Sequence, residues 1–207
     1  GTITNGVGSQ TIAQNLQHTE SSPVSVDYII TSVGPNPTDC PGNSLTRTVV
    51  VNPTAQVNDP ANQVVCNGSG TTAVNFSTTT SGGTMTYNWT NNNTSIGLAA
   101  GGTGNIASFT ATNNGTAPVT ATITVTPTYT NGGVSCTGPA ETFTITVNPT
   151  AAVADPADQV VCNGNNTAAV NFTTDRSGGT TTYSWTNNNT SIGLAGSGSG
   201  NIAAFSA

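Results

Sequence analysis

The sequence predicts an all-β protein built of tandem β-sandwiches, and three observations point to it. The first is composition: the 207 residues include 41 Thr, 26 Asn and 24 Gly, with only 5% charged and 5% aromatic residues. Thr is β-branched and favours strands, whereas Asn and Gly supply tight turns, so a helical bundle is excluded. The second is patterning. Apolar residues come in short alternating stretches that can line one sheet face, and the longest run of large aliphatic residues is Val49-Val50-Val51. The third is a repeat of 96 residues: Asn52 to Ala111 aligns with Asn148 to Ala207 without a gap, and 44 of 60 positions are identical. A fixed period of this kind marks an array of similar units.

Within the complete period the elements follow in order. Strands are expected at Thr54 to Val57, Gln63 to Cys66, Thr72 to Ser77, Met85 to Thr90, Ile106 to Ala111, Val119 to Thr128 and Glu141 to Val147. The clearest is the stretch TATITVTPT, where Ile123 and Val125 alternate with Thr and so place apolar groups on one face and hydroxyls on the other. Asn-Gly pairs at 67, 114 and 131 are expected to supply positive φ at turns. About seven strands in one period is the density of an immunoglobulin-like sandwich.

The first 51 residues fit the other half of the period. Ser22-Pro23-Val24 falls on Ala117-Pro118-Val119, Cys40 on Cys136, and TRTVVVNPT at 46 on TFTITVNPT at 142. The expected organisation is therefore a C-terminal half repeat at 1–51, a complete repeat at 52–147 and an N-terminal half repeat at 148–207. Both ends then fall inside a sandwich and would leave open sheet edges. The chain is accordingly expected to be an excerpt of a longer array, or to be completed by partner chains.

Charge narrows the function. Two Arg, Arg47 and Arg176, stand against eight Asp and Glu, for a net charge of −6. No basic patch can track phosphates, which excludes nucleic-acid binding. The chain has no Lys, hence no P-loop lysine, no Schiff-base lysine and no Lys-to-Asn isopeptide bond. Its single His, His18, cannot form a multi-His metal site. No apolar run approaches the roughly 20 residues that span a bilayer, so no membrane insertion is expected. Nor does any nucleophile stand beside a base, and no catalytic residues are assigned.

The combination VNPT, QVVCNG, AVNF, TYNWTNNNTSIGLAA, GNIASFTATNNGTAPVTATITVTPT and CTG followed by TFTITVNP resembles the PKD-like repeats of very large bacterial surface proteins. Such repeats form the stalks of cell-surface adhesins in gliding and related bacteria, gliding-motility adhesins among them. Ordinary PKD domains carry a W-D-F-G-D-G turn, whereas here the corresponding residues are Trp89-Thr90-Asn91-Asn92-Asn93. Ligand residues of ordinary PKD domains are therefore not carried over.

Each candidate site has a plain structural alternative. Cys66 and Cys162 are equivalent in the repeat, as are Cys40 and Cys136. Four cysteines allow three connectivities, and a self-contained repeat favours Cys66 with Cys136, leaving Cys40 and Cys162 to partners outside the chain. Closing that loop would add roughly 4 kcal/mol and implies an oxidising compartment. Trp89 and Trp185 could offer platforms to sugars, but Tyr87 and Trp89 lie two apart on one strand face, where a core tryptophan is expected. Their repeat mates Tyr183 and Trp185, with Phe76 and Phe172, complete the expected core set. The run TNNNTS is expected to be a solvated hairpin tip. Asp59, Asp155 and Asp158 are weak calcium candidates, because calcium takes six to eight oxygens; no other cofactor is expected.

These readings converge on a stalk or spacer of a long extracellular adhesin or surface filament at the cell surface, with no catalysis. Its partners would be neighbouring repeats of the same chain, other filament chains, and surface glycans or cells reached through domains outside this chain. The alternative is a carbohydrate-binding module that uses Trp or the Asn-rich loops.

Overall fold

The computed structural model describes residues 11–34 and 40–207. Strands dominate, and the only helical segments among the described residues are two one-turn 3-10 helices, Thr94–Ile96 and Thr190–Ile192. Strands β1 (Val24–Val33) and β2 (Pro41–Val51) form a two-stranded antiparallel sheet with Val24 opposite Val51. The complete repeat supplies β3 (Gln63–Cys66), β4 (Thr84–Asn91), β5 (Gly101–Thr103), β6 (Val119–Asn131), β7 (Val134–Thr137) and β8 (Glu141–Asn148). They make one six-stranded sheet in the order β3-β8-β6-β4-β5, with β7 paired to β6. A short antiparallel pair, β9 (Ser184–Thr186) and β10 (Ser197–Ser199), follows.

The alternation read from the sequence sets the core. On β6, Ala121, Ile123, Val125 and Tyr129 are fully buried, while the Thr residues between them stay partly exposed. On β8, Phe143, Ile145 and Val147 do the same. Burying each large aliphatic side chain contributes about 1.5–3 kcal/mol, so these two strands hold much of the folding free energy. β6 turns into β7 through Gly132 and Gly133, at φ 58° and 76°, which is the two-residue turn that suits the twist of a hairpin. At Asn114-Gly115 the glycine does not take the expected positive φ. The Asn113 side chain closes that turn by accepting from Gly115 N at 2.9 Å.

Three expected strands do not form, and two of them keep only isolated bridges. Thr54 to Val57, Thr72 to Ser77 and Ile106 to Ala111 are not strands, although single bridges join Val74 to Ile106 and Gly70 to Thr110. Side chains interrupt the ladder. Phe109 N donates to Thr71 Oγ1 at 3.0 Å, and Gln63 exchanges two 2.9 Å bonds with the backbone of Thr72. Thr and Gln offer the backbone an alternative to a strand partner, so the chain stays extended without a continuous ladder.

By internal packing the chain divides into two compact units. One comprises Gly1–Asn58, Phe76–Asn88 and Val125–Glu141. Among its described residues it contains the β1–β2 sheet, the tilted Phe76–Tyr87 ring pair at 5.4 Å, and Tyr129. The other comprises Asp59–Asn75, Trp89–Thr124 and Thr142–Ala207. In it β3 pairs in parallel with β8, Gln63 facing Ile145 and Cys66 facing Asn148, and Trp89, Ile96 and Ile106 are buried.

The last half repeat copies the local backbone of the complete one. Bridges Asn166 to Ser206 and Val170 to Ile202 fall 96 residues after their counterparts, as does the Phe172–Tyr183 ring pair at 5.6 Å. Asn93 and Asn189 cap their 3-10 turns alike, each accepting from the Ser two residues on at 3.1 Å. No helix among the described residues is long and apolar enough to cross a membrane.

Candidate functional site

The feature that recurs most closely is a clasp between residues of successive repeats. In the complete repeat it is the turn Ser81-Gly82-Gly83. Gly82 has φ 83°, and a Cβ added there would lie 2.6 Å from Pro23 Cδ. Positive φ and the absence of a side chain are therefore both needed at this position. Ser81 N donates to Ser21 O at 2.8 Å, and Tyr129 Oη donates to Ser81 O at 3.2 Å. In the next repeat the turn is Ser177-Gly178-Gly179. Gly178 has φ 75°, its Cβ would meet Pro118 Cδ at 2.6 Å, and Ser177 N donates to Thr116 O at 2.9 Å. Arg176 adds a bond from Nη1 to Gly115 O at 3.1 Å. A proline ring stacked on a glycine, beside one backbone bond, thus occurs twice in repeat register.

A second layer centres on Asn113. It is 4% exposed, and its Nδ2 donates to Val147 O at 2.7 Å and to Ala117 O at 2.9 Å. Its backbone N donates to Asn67 Oδ1 at 2.8 Å, while Asn67 donates to Asn148 O and Thr150 Oγ1 in the next NPT segment. In the first half repeat this position is His18. Its Nε2 is 3.0 Å from Val51 O, the counterpart of Val147 O, and its Nδ1 accepts from Glu20 N at 3.2 Å. The neutral imidazole with its proton on Nε2 reproduces the donor and acceptor of the Asn amide. His18, which has no matching residue in the sequence repeat, therefore fills a recurring structural post. Aligning 18 with 113 through the Ser22-Pro23-Val24 match was the signal that could have found it.

The remaining expected residues serve the core or stand apart. Trp89 is 8% exposed and lies against Gly102, where a Cβ would approach Cζ2 to 2.6 Å. Trp185 is half-buried and packs on Gly198 in the same way. Trp89 is thus covered, and one side of the Trp185 ring is taken by Gly198. Phe76 is buried, whereas Tyr87, Phe172 and Tyr183 are half-buried. Burial pushes the Tyr87 phenol above its usual value of 10.0, so it stays neutral at ordinary pH.

The TNNNTS loop is exposed at Thr90, Asn92, Thr94 and Ser95, while its amides are tied down. Asn91 is buried and donates to Leu98 O and Ala99 O; Asn92 Oδ1 accepts from Thr122 N at 2.8 Å; Asn93 Oδ1 accepts from Ser95 N and Oγ. Its amides are spent on the loop's own backbone and on β6.

The expected Cys66–Cys136 disulfide is absent: Cys40, Cys66, Cys136 and Cys162 are all free. Cys66 faces Asn148 on β8, and Cys136 faces Tyr129 on β6. A disulfide needs Cα atoms within about 7 Å and converging Cβ vectors, and here each cysteine already has a different cross-strand partner. Asp59, Asp155 and Asp158 are exposed, and no group of three or more His, Cys, Asp or Glu gathers among the described residues.

No curated protein matches the chain. The family model described as the PKD-like domain matches residues 1–55, so a short PKD-like domain is present at the N-terminus.

Proposed function

We propose that this chain is a stalk segment of a long extracellular adhesin or surface filament of the gliding-bacterial type. PKD-like sandwiches, here the C-terminal half of one at 1–51, a complete one at 52–147 and the N-terminal half of a third at 148–207, are joined end to end and hold a binding tip away from the cell. The chain itself carries out no catalysis. The observation that supports this reading most strongly is the recurring clasp, Ser81 on Ser21 and Ser177 on Thr116, each with a glycine under a proline. A flexible tether would need no repeated contact at its joints, whereas a spacer that transmits force does. The NPT segments support it too, because Pro fixes φ and biases the preceding Asn toward extended backbone. The burial of Trp89 and the hydrogen bonds of Asn91 and Asn92 within the fold support the spacer reading over a carbohydrate-binding module. Extracellular placement rests on the PKD-like match and the repeat, since free cysteines lend an oxidising compartment no support.

The joint is testable by distance measurement. In a variant with all four cysteines changed to Ser, spin labels at Ser44 and Thr72 should report one narrow distance distribution. A broad distribution would reduce the clasp to a loose tether and overturn the spacer reading.

A further inference from the structure

Asn-Gly pairs are chemically labile as well as suited to turns. The glycine backbone N can attack the Cγ of the preceding Asn, because no Cβ hinders the approach, and the cyclic imide that results opens with water. Among the described residues there are four such pairs, Asn67-Gly68, Asn114-Gly115, Asn131-Gly132 and Asn163-Gly164. The fold treats them differently. Gly68 N donates to Ala111 O at 2.8 Å, Gly164 N to Ala207 O at 2.7 Å, and Gly115 N to Asn113 Oδ1 at 2.9 Å. A nitrogen held in this way must give up its hydrogen bond before it can turn on its own Asn. Gly132 N makes no such bond. It belongs to the first glycine of the exposed turn between β6 and β7, with open space where a Cβ would stand, so the nucleophile is free and water is at hand.

The Asn131 side chain is half-buried and held at one point. Its Nδ2 donates to Asn52 Oδ1 at 2.9 Å, and Asn52 Nδ2 donates back to Asn131 O at 3.2 Å. Asn52 opens the first NPT segment, directly after β2, so this amide pair ties the end of β6 to that segment. Attack by Gly132 N makes Asn131 Cγ tetrahedral and expels Nδ2. The bond to Asn52 must then be surrendered, and the pair is a brake on the reaction.

We propose that Asn131-Gly132 is a modification site at which the folded chain deamidates spontaneously, and that the Asn52 amide sets the rate. Gly132 N forms a bond to Asn131 Cγ, the Cγ–Nδ2 bond breaks, and the side-chain nitrogen leaves as ammonia with the proton given up by Gly132 N. Water then opens the imide at either carbonyl, leaving aspartate, or isoaspartate in which the main chain runs through Cβ and Cγ. Water is the only co-reactant. Either product dismantles the amide pair. The new carboxylate only accepts, so it has nothing to donate to Asn52 Oδ1, and an Asn52 amide turned round to donate to it would set its own oxygen against Asn131 O. Isoaspartate also lengthens the backbone at the residue that opens the β6–β7 register opposite Val134. The turn and its hold on the NPT segment are lost together, an irreversible mark that accumulates with the age of the chain. This goes beyond the spacer reading and does not rest on it.

The test is peptide mapping of the intact chain held at mildly alkaline pH, with isoaspartate scored by enzymatic methyl transfer. The peptide carrying Asn131 should change from the mass of the amide to that of the acid several-fold faster than those carrying Asn67, Asn114 and Asn163. In denaturant, where all four glycine nitrogens are released, the four rates should draw together. Asn52→Ala should speed conversion at Asn131 several-fold and leave the other three rates unchanged, which also shows that the variant is folded. Asn52→Asp, which still accepts from Asn131 Nδ2, should convert no faster than the unaltered chain. Conversion at any of the other three pairs that matches or outpaces Asn131 in the folded chain would overturn the site. An unchanged rate at Asn131 in Asn52→Ala, or equal acceleration in both Asn52 variants, would overturn the role given to Asn52.

Discussion

Gly82 and Gly178 each meet two demands, a positive φ and contact with a proline ring at a distance no Cβ tolerates. Gly178→Ala should cost about 1–3 kcal/mol, the range for a strained backbone position with no room to relax. Chemical denaturation followed by tryptophan fluorescence will read the loss; an unchanged midpoint would show that the clasp contributes nothing to folding. The adjacent post makes a sharper comparison. Because His18 and Asn113 donate to equivalent carbonyls and accept from equivalent amides, His18→Asn should leave stability within about 0.5 kcal/mol. His18→Leu should lose about 1–3 kcal/mol by leaving a part-buried carbonyl and an amide unpaired. Equal losses for both substitutions would mean that His18 acts through packing alone.

At the scale of elements, the strands most legible in the sequence are those with strict alternation. β6 and β8 could be read from Ile123, Val125, Ile145 and Val147 because period-two burial leaves a direct trace in residue type. Thr72 to Ser77 and Ile106 to Ala111 carry a similar pattern, yet the ladder there is broken by Thr71 Oγ1 and the Gln63 amide. Side-chain competition of this kind depends on which residues meet across the fold, which spacing does not reveal. The cysteines fail for a related reason. Repeat register shows which are equivalent and says nothing of which face one another, and β3 and β7 pair with different strands. Alkylation of the purified chain without reductant, followed by mass measurement, should modify all four thiols. A chain that takes up only two labels would restore the Cys66–Cys136 bridge.

At the scale of the molecule, the repeat was the most legible feature, because 44 identities in 60 positions fix corresponding residues without any structure. Together with the Ser22-Pro23-Val24 match to Ala117-Pro118-Val119, those correspondences carry the clasp and the His18 post. The Pro-on-Gly contact itself was hidden, since no local pattern says that Pro23 and Gly82 meet across 59 residues. The central claim is that successive repeats advance along one axis as a stiff spacer. Small-angle scattering from chains holding two, three and four complete repeats measures this most directly. With strands of about seven residues plus loops, the maximum dimension should rise by about 35–45 Å for each repeat added. Increments near roughly 20 Å, the breadth of a two-sheet sandwich, would show repeats packed side by side and contradict the account.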